Sequence, residues 1–201
     1  MPSFEDLVDF RRKNFLIFDF DGTLANTSPI HQKAFIEALL PYKASFDYSK
    51  IAGLSTRSAM ENILESNKIS LSEIELTNLV KSKQSIAKNL IEISVKPVVG
   101  IDKFLSYLPD SIAIGIVSSA SKASILTALN ILNFPRDFDP IISFEDVLNS
   151  KPSPEGFLKA IKINDFSKDE SLIIEDSNIG FKAARASGID YLDVRMISKN
   201  A

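Results

Sequence analysis

The sequence predicts an α/β fold in which a mostly parallel sheet is covered by helices and interrupted by an inserted all-helical unit. Three observations carry that expectation. Short, continuously apolar runs recur and each stops at a polar group: Phe15-Leu16-Ile17-Phe18 at Asp19, residues 112–117 at Ser118, and Leu172-Ile173-Ile174 at Glu175-Asp176. Such runs suit strands buried on both faces, as in parallel sheets, rather than alternating half-exposed strands. Helical stretches separate them, and the resulting β-α-β-α order implies a parallel sheet with helices on both faces. Between the first two runs, residues 28–94 show helical apolar spacing and no comparable strand run.

Taken in order, the first strand is 15–18, and Ser28 is expected to cap the first inserted helix with Pro29 at its first position. Ile30, Ala34, Phe35 and Ala38 then repeat at three- and four-residue intervals. Ser72 with Glu75 reads as a capping box, and Leu71 with Leu76 as its hydrophobic staple, so another helix starts there. The chain leaves the first strand near Thr27 and returns near Lys96-Pro97-Val98-Val99-Gly100; both crossings are expected hinges. Further helices are predicted over 101–108, 121–132, 154–163 and 178–187, the last closed by Gly188. Weaker strands are predicted at 140–143 and 191–194. In open sheets of this type ligands sit beyond the carboxyl ends of the strands, so the three polar strand ends should converge.

A length of 201 residues with 45% hydrophobic content allows one well-buried domain plus a smaller insertion. The net charge of -3 lacks the basic footprint of a nucleic-acid binder. With no cysteine, disulfides, thiolate nucleophiles and Cys-ligated metals are excluded, and a cytoplasmic location is expected. The start, Met1 to Lys13, carries Glu5, Asp6 and Asp9 and no signal-like apolar run, and no stretch approaches a membrane span. Nothing suggests an exposed interface helix, so a compact monomer is expected.

Asp19-Phe20-Asp21-Gly22-Thr23 places two carboxylates two residues apart directly after a buried strand, with a glycine that lets the backbone turn closely. Two acids there need a cation. A hard divalent ion such as magnesium takes oxygen ligands, and Glu175-Asp176 would arrive from a neighbouring strand end to complete the site. Singly, each pair reads as an Asp-Gly turn or a helix cap; together they point to a metal. Ser118-Ser119 offers hydroxyls and backbone N–H groups near a helix start, an anion cradle that alone could be loop or cap. Lys151 precedes Pro152-Ser153-Pro154, where Pro152 stiffens the loop and Ser153 would cap a helix. A rigidly held lysine suits a phosphate, although most lysines are solvated. His31, the only histidine, falls in the first turn of the first inserted helix, where the dipole disfavours its charged form; on physics alone it reads as a surface residue.

These residues resemble the haloacid dehalogenase superfamily, within its branch of β-phosphoglucomutase-like enzymes and sugar phosphatases, over nearly the whole chain. The four motifs of that superfamily are matched in order by Phe18-Asp19-Phe20-Asp21-Gly22-Thr23-Leu24, Val117-Ser118-Ser119, Lys151-Pro152-Ser153-Pro154 and Ile174-Glu175-Asp176-Ser177-Asn178-Ile179-Gly180. The resemblance implies a Rossmann-like core, residues 1–27 and 96–201, with a helical cap, residues 28–95. It implies a magnesium-dependent phosphatase acting on a small phosphorylated metabolite, a sugar phosphate. Asp19 would be the nucleophile and Asp21 the general acid and base. Ser118, Ser119 and Lys151 would hold phosphoryl oxygens, and Asp19, Asp21 through its backbone carbonyl, Glu175 and Asp176 would hold Mg2+.

The segment Asn26-Thr27-Ser28-Pro29-Ile30-His31 resembles the branch's hinge with a histidine beside the general acid and base, Asn26 replacing the acidic residue often found there. Gly53-Leu54-Ser55-Thr56-Arg57 resembles the substrate-specificity loop with its arginine displaced by one residue, and Lys83 resembles the cap lysine that contacts a distal phosphate. Otherwise Arg57, Lys81 and Lys83 read as solvated helix charges. The same core would serve a phosphomutase. A non-catalytic binding protein is disfavoured because Asp19, Asp21, Lys151 and Asp176 are all present, and a dehalogenase because Asp21 is.

Overall fold

A computed structural model describes residues 13–198. The reading of the chain's start, apart from Lys13, and the last three residues of the expected core lie outside the described residues. Five strands, β1 (Phe15–Phe18), β2 (Ala113–Val117), β3 (Ile141–Ile142), β4 (Ser171–Glu175) and β5 (Asp190–Asp193), form one parallel sheet in the order β3-β2-β1-β4-β5. Every residue of β1 and β4 is buried, as the continuous apolar runs at 15–18 and 172–174 require. Phe15 and Ile17 pack in one apolar cluster, Leu16 and Phe18 in another, so helices cover both faces. Because β2 lies on one side of β1 and β4 on the other, the chain reverses its winding direction at β1. A crevice therefore opens at the carboxyl end of that strand.

The inserted stretch contains α1 (Ser28–Leu39), α2 (Thr56–Ser66) and α3 (Glu73–Ser94), with two short 3-10 turns and no named strand among its described residues. Phe35, Leu39, Met60, Ile63 and Leu79 belong to a third buried cluster separate from the two on the sheet. Each such side chain contributes roughly 1.5–3 kcal/mol on burial, so the insertion carries a core of its own. The capping box at Ser72 and Glu75 forms as expected, and Leu71 and Leu76 join the same cluster. The two crossings are hydrogen-bonded to each other: the Asn26 N–H donates to the Lys96 carbonyl at 2.8 Å and the Val98 N–H to the Leu24 carbonyl at 2.9 Å.

The remaining helices are α4 (Ile101–Tyr107), α5 (Lys122–Leu132), α6 (Glu155–Ile163), α7 (Asn178–Ser187) and α8 (Arg195–Ser198). Some boundaries move from the sequence reading. Ser28 is already helical, and Thr27 flanks the helix without a side-chain cap because its hydroxyl is engaged elsewhere. Helix α6 begins at Glu155 rather than Pro154, and the Ser153 hydroxyl accepts from the Glu155 N–H at 3.3 Å. The expected 140–143 strand shortens to two residues because Ser143 leaves the ladder to cap a turn, bonded to the Asp146 carboxylate.

Candidate active site

The polar strand ends converge. Asp19 follows β1, its N–H donating to the Ile174 carbonyl of β4 at 2.9 Å, and Glu175 is the last residue of β4. Lys151, from the loop before α6, reaches in between them: its Nζ donates to Asp19 Oδ1 at 2.5 Å and to Glu175 Oε1 at 2.7 Å. All three side chains are buried, and Phe157 of α6 lies beneath the ammonium, 5.0 Å from ring centroid to Nζ. Lys151 is therefore no solvated lysine. Burial alone would lower its pKa, but the carboxylates of Asp19 and Glu175 outweigh that and raise it, so it stays charged. Burial, helped by the negative charge of Glu175, pushes the Asp19 pKa well above the carboxylate range despite Lys151. The part of that rise that comes from the neighbouring carboxylates of Glu175, Asp176 and Asp21 is what an added cation would relieve.

Oxygens of Asp19, Glu175 and Asp176 lie within 4.8 Å of one another, a hard-donor set that fits Mg2+. Asp176 is pushed up to about 7 by burial and by Glu175, with Lys151 opposing, as expected of carboxylates whose crowding one ammonium only partly offsets. Glu175 is the most constrained of them. It takes Lys151 on one oxygen and the backbone N–H groups of Asp176 and Ser177, each at 2.8 Å, on the other. This packing demands a glycine at 180, where a Cβ would stand 1.7 Å from Glu175 Oε1.

Asp21 faces away from that cluster. Its Oδ1 accepts from the Thr27 hydroxyl at 2.5 Å and lies 3.0 Å from His31 Nε2, so the carboxylate expected to handle protons is not among the grouped metal-ligand oxygens. Burial pushes its pKa up, but His31 and Thr27 together overcome that and hold it at about 2. His31 is buried rather than on the surface, and its other nitrogen, Nδ1, lies 3.0 Å from Lys83 Nζ. That bond holds a single proton between the two nitrogens. Either the ammonium donates to a neutral ring or the charged ring donates to a neutral amine, and in both cases Nε2–H points to Asp21. Burial lowers the Lys83 pKa to about 8, with Asp21 partly offsetting it.

The insertion closes over these groups. The Ser119 hydroxyl donates to the Gly53 carbonyl at 2.9 Å, and Gly53, at φ +86°, lies so near the start of α7 that a Cβ would be 2.5 Å from Ser177 Oγ. Ser119 thus ties the insertion to the core as well as facing the cavity. Ser118 is buried and accepts from the Ala120 N–H at 3.0 Å. The cavity between insertion and core has a volume of about 40 Å³; Asp19, Asp21 and Ser118 line it from the core, and His31, Thr56 and Lys83 are among the residues of the insertion that line it.

Of its two expected readings, Arg57 takes that of a solvated helix charge. It is on the surface, paired with Glu61 at 2.9 Å and Glu73 at 2.7 Å, and does not line the cavity; the α2 N-terminus turns it outward and presents Thr56 instead. Lys81 is exposed and Lys83 buried, so the shared reading of the three as solvated charges fails for Lys83 alone. Sequence reasoning named Thr27 only as a hinge residue and Thr56 only within the loop Gly53 to Arg57, and it passed over Tyr48, which also lines the cavity. Thr27 was visible as a hinge residue, whereas Tyr48 comes from a 3-10 turn with no periodic signal.

A profile for haloacid dehalogenase-like hydrolases matches residues 16–194. The chain belongs to that family. It is 28% identical over 194 residues to the fructose-1-phosphate phosphatase YqaB of Escherichia coli strain K12, covering 94% of this chain and 100% of that one. It is also 28% identical over 186 residues to the β-phosphoglucomutase of Bacillus subtilis strain 168, covering 87% and 80%. The solved β-phosphoglucomutase of Clostridium difficile superposes with a TM-score of 0.80 over 89% of this chain and 83% of that one, at 26% identity. Within the haloacid dehalogenase-like hydrolases, the chain is an enzyme of the phosphatase or phosphomutase type.

Proposed function

We propose that the protein is a magnesium-dependent phosphatase that hydrolyses a small phosphorylated metabolite, a sugar phosphate, through a phosphoryl group carried on Asp19. In this reading residues 28–95 act as a cap over a core formed by 1–27 and 96–201. The observation that carries it is the pairing of two buried aspartates with different surroundings: Asp19 beside Lys151 and the acidic cluster, Asp21 held by Thr27 and His31.

An Asp19 oxygen attacks phosphorus and the ester P–O bond breaks. The leaving oxygen takes its proton through Asp21, supplied from His31 Nε2, and Asp21 is left as a carboxylate. Water then attacks phosphorus, gives its proton to Asp21, and the bond to Asp19 breaks, releasing phosphate. A carboxylate held at about 2 suits this second, basic half of the cycle. Lys151 and the Ser118 hydroxyl, with Ser119, steady the transferring oxygens, where fixed donors count most. Asp19, Asp176, the Asp21 carbonyl and Glu175, the last directly or through water, would hold Mg2+, which when bound offsets carboxylate repulsion and polarises a phosphoryl oxygen. Closure of the cap keeps bulk water out.

The phosphatase relative named for fructose 1-phosphate, matched over its full length, supports the substrate class. The equal identity to a β-phosphoglucomutase keeps a phosphomutase as the second reading. The reading extends to a cytoplasmic monomer with neither nucleic-acid nor membrane partners, supported by the net charge of -3 and by the lack of a described helix long and apolar enough to cross a membrane.

The test is phosphate release with Mg2+ across sugar phosphates, phosphoglycolate, nucleotides and an aryl phosphate, with phosphorus NMR following isomerisation. Rapid release from a sugar-phosphate subset is expected. Isomerisation without release would establish the mutase instead.

A further inference from the structure

One hydroxyl proton joins the insertion to the core beside the cavity: the half-buried Ser119 gives it to the Gly53 carbonyl at 2.9 Å. Both residues line the cavity. A serine hydroxyl has a single proton to donate. While Gly53 holds that proton, Ser119 can serve a phosphoryl oxygen only through its backbone N–H.

Both ends of the bond are anchored. Gly53 belongs to a turn in which the Ala52 N–H donates to the Tyr48 carbonyl at 2.9 Å and the Leu54 N–H to the Ile51 carbonyl at 3.1 Å. Ile51 is buried in the insertion's own apolar cluster, so a pull on Gly53 is a pull on the insertion as a whole. On the other side, the Ser118 N–H donates to the Ile142 carbonyl of β3 at 2.9 Å, and the Ala120 carbonyl accepts from the Phe144 N–H at 3.2 Å. The His31–Asp21 contact also runs from insertion to core, but it lies about one helical turn from the Thr27 crossing, where rotation about the hinge moves it least.

The cavity measures about 40 Å³, room for about three waters but not for a sugar phosphate, since small-molecule pockets run to roughly 300 Å³ or more. The structure is therefore the shut arrangement. Substrate enters when the insertion swings away, and the Ser119–Gly53 bond must break for that.

Resting on the reading of residues 28–95 as the cap of a phosphatase, we infer that the cap rests shut and that the Ser119 hydroxyl is its latch. Ser119 is then a positioning residue that sets the fraction of molecules open to substrate, and its side chain is not a donor to the phosphoryl group. A shut resting state lowers the apparent affinity for substrate in proportion to the open fraction.

The chain has no cysteine, so two spin labels can be placed without background. Glu65→Cys on α2 and Lys162→Cys on α6, both exposed, report the cap-to-core distance by double electron-electron resonance without Mg2+ or substrate. A dominant short distance is expected. Ser119→Ala should raise the longer-distance population roughly two- to tenfold, the worth of one neutral hydrogen bond, and Ser119→Thr, which keeps a hydroxyl, should restore the short one. Calorimetry of the unlabelled proteins with inorganic phosphate and Mg2+ should show Ser119→Ala binding at least as tightly as the native chain. Unchanged distances in folded Ser119→Ala overturn the inference, and a tenfold loss of phosphate affinity beside them would return the hydroxyl to the phosphoryl group. A native chain found mostly at the longer distance overturns it without any Ser119 variant. Silence of the native enzyme on every phosphate ester would overturn the phosphatase reading, while the distances still decide the latch.

Discussion

Asp21 is ionised because two donors face one oxygen: burial alone would raise its pKa, and His31 and Thr27 reverse the sign. Removing His31 should therefore raise it. His31→Asn is expected to shift the acid limb of kcat/KM upward by about a unit and to lower turnover by roughly 10–100-fold, within the range of general acid-base contributions. A pH-rate profile with an unmoved acid limb would contradict the assignment. The identities of Asp19, Asp21, Ser118, Lys151 and Asp176 were legible because each follows an apolar run or precedes a helix start. Lys83 was not. Arg57, Lys81 and Lys83 look alike as charges on inserted helices, and only the packing of α3 against α1 buries one of them beside His31 and Phe35.

At the scale of elements, β4 and α7 are fitted around Glu175. Gly180→Ala would press a methyl group into that carboxylate, an overpacking expected to cost about 3 kcal/mol or more. The denaturant midpoint measures it, and a midpoint within error of the native protein would show that Glu175 can move. Gly53→Ala acts on another contact, the seat of the cap loop on Ser177. It is expected to reduce kcat/KM while leaving the stability of the core nearly intact; unchanged kinetics would show that this seat is not needed for turnover. The strands were legible from their apolar runs, but their ends were not, since a strand stops where its hydrogen-bonding groups find other partners: β3 ends where Ser143 meets Asp146. The first inserted helix was placed correctly apart from its cap, because Thr27 bonds across to Asp21 and does not cap the helix.

For the whole molecule, the metal-free acidic cluster opposes folding at neutral pH. Asp19 and Asp176 have raised pKa values in the folded state, so the native protein holds protons that the unfolded chain has released. Its stability then falls as pH rises from the ordinary carboxylate range toward about 7, the value for Asp176. Mg2+ should relieve this. At a hundredfold excess over its dissociation constant it adds about 2.7 kcal/mol, a rise in Tm of roughly 5–10 °C for a chain of this size. The rise should be larger at pH 8 than at pH 5, where protons compete for the same oxygens; a pH-independent rise, or none, would contradict the metal assignment. The division into a sheet and a helical insertion was visible from the change of apolar period. The closure between them was not, because the Ser119–Gly53 bond joins residues whose meeting no local pattern encodes.

The most direct test of the central claim is phosphate release, with Mg2+ and the best sugar phosphate, by the native protein and by Asp19→Asn. The variant should fold with an unchanged or slightly raised Tm in the absence of Mg2+, since it removes one of the crowded carboxylates, and should lose roughly a thousandfold or more in turnover. Near-native release by the folded variant would show that Asp19 does not carry the phosphoryl group.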